Sequence, residues 1–154
     1  MSADLNAAAG AIRDRFRTRW MQARGYDVDE FNRRVQFGAT LFNPPDPDEA
    51  NERFEWVRVS ILWADAFELT IGDQGVGENE IVGVVSIAVF VRSGEGEGEL
   101  ETLCNLIRPI FDRVDLGNLR FGAPSGPKPG PPAVENDGWE QRVIDVPFTL
   151  EETI

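Results

Sequence analysis

The stretch Ile81-Val82-Gly83-Val84-Val85-Ser86-Ile87-Ala88-Val89-Phe90-Val91-Arg92 decides the fold. It is rich in β-branched residues and has no 3.6-residue apolar repeat, so it reads as a strand. Ile81, Val85, Ile87, Val89 and Val91 fall on one side and Val82, Val84, Ala88 and Phe90 on the other, so both sides favour leaving water. Such a strand belongs at the centre of a sheet. If both principal helices pack on one side of that sheet, the opposite side exposes an apolar patch that another subunit would cover; one helix on each side, or a sheet curled on itself, would leave no such patch.

Working outward, Glu55 to Trp63 alternates as a strand, with Val57, Val59 and Ile61 on one side and Trp56, Arg58, Ser60 and Leu62 on the other. A short strand is expected at Phe67 to Ile71, followed by a turn at Gly72 to Glu78. After a Gly94–Gly98 turn, Leu100, Leu103, Cys104, Ile107, Ile110, Phe111 and Val114 recur on one helical face. Pro109 lies inside that helix and is expected to bend it near Asn105. Leu5, Ala8, Ala9, Ile12, Phe16 and Trp20 mark a first helix from Ser2 to about Trp20, closed by Gly25. Asp27 and Asp29 are candidate caps for a short turn before an extended piece over residues 35–41, and Asn43-Pro44-Pro45-Asp46-Pro47-Asp48 reads as a surface loop. A short strand at Asn118 to Phe121 precedes a Pro/Gly-rich stretch, residues 122–138, expected to be a mobile loop. Trp139 to Leu150 returns as a strand, with Val143 on one side and Ile144, Val146 and Phe148 on the other. The order predicts one α+β domain over residues 1–154, with a mainly antiparallel sheet and two principal helices packed on it.

The 154-residue chain carries 15 basic and 27 acidic residues, a net charge of −12, which repels a phosphate backbone and argues against general nucleic-acid binding. Seven of the basic residues precede residue 35, where the expected helix would carry their stems over its apolar neighbours. With no histidine, Ser-His-Asp and Cys-His catalysis and imidazole metal sites are excluded. A single cysteine, Cys104, cannot form an internal disulfide, and its place on an apolar helix face predicts a buried structural thiol. The charged first 20 residues match neither a secretory signal nor a membrane anchor, and the longest apolar run is too short to cross a bilayer as a helix. A soluble cytoplasmic product is expected.

Gly94-Glu95-Gly96-Glu97-Gly98 occupies the position of a phosphate-binding loop but lacks its spacing, and its glutamates would repel the anion. Glu95, Glu97 and Glu99, or Asp46, Asp48 and Glu49, have no EF-hand spacing. Pairs such as Asp65 with Glu68 or Asp73 with Glu78 are not distinguished from the other carboxylates as an acid and base. Trp20, Trp56, Trp63 and Trp139 read as core aromatics or interface anchors.

The element order, together with Phe42-Asn43-Pro44-Pro45, Glu55-Trp56-Val57-Arg58-Val59, Gly83 in the long strand and the block Gly138-Trp139-Glu140-Gln141-Arg142-Val143-Ile144-Asp145-Val146-Pro147-Phe148, resembles the tail terminator proteins of long-tailed bacteriophages and related tail-like particles. The likeness spans roughly Leu5 to Leu150. It implies a structural subunit, not an enzyme, that forms a homohexameric ring on the last ring of the tail tube, stops polymerisation and joins the tail to the head. The implied partners are further copies of the chain, the tail tube protein and the head–tail neck or connector protein, with no cofactor, sequence-specific nucleic acid or membrane. The implied location is the head-proximal end of the tail in the virion, and host cytoplasm during assembly. From the residues themselves, Trp56, Arg58, Leu62, Val82, Val84 and Phe90 are the subunit-interface candidates, and Pro124, Lys128 and Pro131 the docking-loop candidates. The alternative is an acidic regulator or inhibitor that binds a basic partner, motivated by the net charge.

Overall fold

The computed structural model describes residues 5–38, 55–63, 80–92, 97–129 and 139–151. Helix α1 (Leu5–Arg24) buries Ala8, Ile12, Phe16 and Trp20 of the expected stripe, while Leu5 in its first turn is exposed and Ala9 half-buried, and it runs one turn past the expected end. It stops at Gly25, whose positive φ of 69° lets the Tyr26 N–H return to the Met21 carbonyl at 3.0 Å. The expected turn at Asp27 is a helix, α2 (Val28–Arg34), because the Asp27 carboxylate accepts from the Glu30 N–H at 2.8 Å and so caps it. Strand β1 (Val35–Phe37) follows directly.

Strands β2 (Trp56–Trp63) and β3 (Glu80–Arg92) pair antiparallel, and β3 pairs antiparallel with β7 (Trp139–Glu151) along its whole length, so β3 is central as expected. Between them in sequence lie α3 (Glu97–Phe111), the short strands β4 (Asp115–Leu116) and β5 (Leu119–Phe121), and β6 (Ser125–Pro129). The sheet order is β1-β2-β3-β7-β5-β4, with β6 also on β7. The β1–β2 pair is parallel, Val35 opposite Val57, and the remaining pairs are antiparallel. The protein is an α+β domain over these residues. Pro109 lies inside α3, which ends at Phe111 and leaves Val114 outside it, half-buried against the core.

One part of the expected mobile loop is a strand. Residues 125–129 form β6, with Ser125 opposite Asp145 and Lys128 opposite Val143. Its two prolines are tolerated because the strand lies on an outer edge, where a missing N–H breaks no inner ladder. Arg108 of α3 holds the segment by donating to the carbonyls of Gly126 and Pro124. Pro124 is buried and Lys128 is paired with Asp145, so neither sits in a free loop; Pro131 lies outside the described residues, as do the expected strand at 67–71, the Gly72–Glu78 turn and the Pro-rich stretch at 43–48.

The three helices of the described residues contribute to one core, shared with the odd-numbered side chains of β3 (Val85, Ile87, Val89, Val91) and the even-numbered ones of β7. Helix α3 packs on α1, β3 and β7, and Arg15 of α1 donates to the Ile110 carbonyl at 2.6 Å, satisfying an acceptor that the end of α3 leaves open. A buried carboxylate ties α1 and α2 to β2. Glu55, 4% exposed, accepts from Arg24 Nη2 at 2.9 Å, from Arg34 Nη1 at 3.1 Å and from the Tyr26 hydroxyl.

Candidate functional site

Because strand residues alternate, the face of the sheet turned from the helices carries the even positions of β2 and β3 and the odd positions of β7. Among the described residues no helix packs on it. All six interface candidates lie there. They divide into two groups: a closed aromatic corner and an open apolar strip.

In the corner Trp56 and Phe90, directly opposite each other on β2 and β3, stack with centroids 3.9 Å apart and planes 6° apart, and Trp139 meets Trp56 edge-on at 6.2 Å. These rings are buried and form a small core of their own. The Arg58 guanidinium lies 5.5 Å from both stacked ring centroids, a cation–π arrangement, and its Nε donates to Gln36 Oε1 at 2.9 Å. Trp56 and Phe90 are therefore already packed within the chain, and Arg58 is held as their cover.

In the strip, Leu62, Val84 and Pro147 stand side by side across β2, β3 and β7, and Val82 is the next apolar residue along β3. Leu62 is 57% exposed, Pro147 is exposed, and Val82 and Val84 are half-buried. Beside them an open cleft of about 310 Å³ is lined by Val82, Arg120, Phe121, Pro147, Phe148 and Thr149. Two ion pairs border the strip: Lys128 Nζ to Asp145 Oδ2 at 2.6 Å, and Arg120 Nη1 to Glu151 Oε1 at 3.6 Å. Sequence reasoning did not single out Pro147, Asp145, Arg120 or Glu151. Extending the alternation of Val143 along β7 would have found the first two and Glu151; Arg120 needs the β5–β7 register.

Among the described residues no group of three or more His, Cys, Asp or Glu is placed to hold a metal, and no helix is long and apolar enough to cross a membrane. The carboxylate pairs Asp65–Glu68 and Asp73–Glu78 lie outside the described residues.

Cys104 is buried on the core side of α3, and burial pushes its thiol up to about 11. Because the folded value is raised, the thiol's contribution to stability is whole below its ordinary 9.0 and is lost as pH climbs through about 11. Cys104 is expected to resist a colorimetric disulfide reagent at about pH 8 and to react fully once denaturant is added, since only the thiolate attacks. Fast reaction of the native protein would contradict the buried placement.

No family model matches the sequence, and no curated protein matches it. One solved structure, a chain whose designation states no function, is similar over 92% of this chain and 97% of its own length, at 17% identity and a TM-score of 0.49. That likeness carries no functional argument.

Proposed function

We propose that the protein is a structural assembly subunit: a tail terminator that forms a ring on the end of a phage tail tube, stops its growth and joins it to the head. The observation that supports this reading most is the one-sided helix layer. Among the described residues it leaves Leu62 and Pro147 exposed and Val84 half-buried across three adjacent strands, and a continuous apolar strip of this kind marks a surface that another protein covers. Ring subunits cover such surfaces with their neighbours. The sequence resemblance supports the same reading independently.

The test is genetic and visual. Deleting the coding sequence from a genome that makes tailed particles, then imaging the lysate by electron microscopy, is expected to give overlong tails without heads; expression of the intact chain restores length. Tails of normal length with heads attached would overturn the proposal. Salt-sensitive binding of the purified chain to a basic partner, with no effect on tails, would favour the acidic regulator instead.

A further inference from the structure

The uncovered face is complementary to itself. Its central row, Leu62, Val84 and Pro147, is apolar across three strands. On one side of that row lie Asp145 one step away and Lys128 two steps away, the latter opposite Val143. On the other side lie Arg120 one step away, opposite Thr149, and Glu151 two steps away. At equal distance from the row the charges are therefore opposite: Asp145 answers Arg120, and Lys128 answers Glu151. The pattern repeats on the neighbouring strands, where Arg58 of β2 and Glu80 of β3 stand two steps from the row on opposite sides of it.

We propose that two copies of this chain dock through this face, related by a two-fold axis that runs across the strands along the Leu62–Val84–Pro147 row. A half-turn about that axis lays each apolar row on its counterpart. It brings Lys128 to the same level as the partner's Glu151, Asp145 to that of the partner's Arg120 and Arg58 to that of the partner's Glu80, each one strand spacing of about 4.8 Å to the side, within the reach of these long side chains. Each exposed intrachain ion pair thereby becomes part of a four-charge cluster with alternating signs. Any other registry of the two faces loses this match, so charge fixes the alignment while the apolar row supplies the adhesion. From strand spacing, the matched area is about 27 by 19 Å, on the order of 1,000 Å² over both copies, the lower end for a specific interface. A contact of that size is exchangeable. The docking itself does not depend on the tail reading; if that reading holds, the pair is the form of the free chain, because a face covered by its twin is closed to other neighbours.

Sedimentation of the full chain over a range of concentrations tests the contact. The expected result is a monomer–dimer equilibrium that Leu62→Asp shifts wholly to monomer. Lys128→Glu and Glu151→Lys are each expected to weaken the dimer about tenfold or more, and the two together to restore most of the loss, since the swapped charges meet only across the axis. A second measurement is independent of any loosening of β6. Leu62→Cys sits on the axis and is expected to link to its counterpart through a short bismaleimide, whereas Glu101→Cys on the exposed side of α3 is not. A chain that stays monomeric, a dimer indifferent to Leu62→Asp, or charge swaps that fail to rescue would overturn the proposal. A ring that forms without the Leu62→Cys link would overturn this contact and leave the tail reading standing; a rescued dimer in a strain with normal tails would do the reverse.

Discussion

Gly83→Val is expected to lower the melting temperature by about 6–12 °C, followed by circular dichroism, as an overpacking cost of about 3 kcal/mol in a domain of this size. Gly83 lies on the helix side of β3, between Trp63 of β2 and Phe148 of β7 in register. Those two rings meet edge to face at 5.2 Å across the glycine. A Cβ placed there collides with Phe148 Cζ and falls 2.8 Å from the Leu62 carbonyl oxygen, and the carbonyl is ladder backbone that cannot give way. Gly10→Ala is the control. Nothing lies within 4 Å of its Cβ in the middle of α1, so it is expected to stabilise by about 0.5–1 kcal/mol. A Gly83→Val protein that melts like the parent would show that the Trp63–Phe148 contact does not close over this position.

Glu55→Ala is expected to cost about 3 kcal/mol in denaturant unfolding. Removing the carboxylate takes from Arg24, 25% exposed, its acidic partner and leaves Arg34, 14% exposed, with Glu30 alone of its two carboxylates; breaking such a pair from one side costs about 3–5 kcal/mol when burial is complete. Partial exposure of the arginines puts the effect at the low end. A double-mutant cycle isolates the contact: Arg24→Met should cost less in the Glu55→Ala background than alone. Burial and the bond to Glu55 raise the Tyr26 phenol above its ordinary 10.0. The folded state thus favours the protonated phenol, so its contribution is whole below pH 10.0 and is lost as pH rises through the raised value. The parent should lose stability above that pH more steeply than Glu55→Ala. Equal slopes would separate Tyr26 from the carboxylate.

The long strand at 81–92 was legible because its composition admits one structure, and its two apolar sides posed the question the fold answers: the helices share one side. The α3 face was equally plain from spacing, though the terminal turn was overread to Val114. β6 was hidden because proline and glycine argue against strands unless the segment is known to lie on an edge, and that depends on where β7 ends up. The Glu55 cluster left no local sign. Its arginines lie 31 and 21 residues upstream, and no spacing rule selects one acid from 27. At the candidate face the six chosen residues share one side, but only tertiary packing shows that Trp56 and Phe90 are closed off while Leu62 is not.

The alternation along β3 divides the labour of evolution residue by residue. Val85, Ile87 and Val89 are constrained by whether a single molecule holds its shape; under the proposed docking, Val82 and Val84, interleaved with them on the same ribbon, are constrained by whatever company that molecule keeps, while Ala88 and Phe90 serve the aromatic corner. Saturation mutagenesis of this strand, scored separately for solubility and for assembly, should produce two tolerance profiles out of phase by one residue. A descendant of this chain that acquired a different companion would then change at Val82 and Val84 while Gly83, Val85 and the letters that serve the two cores stayed fixed.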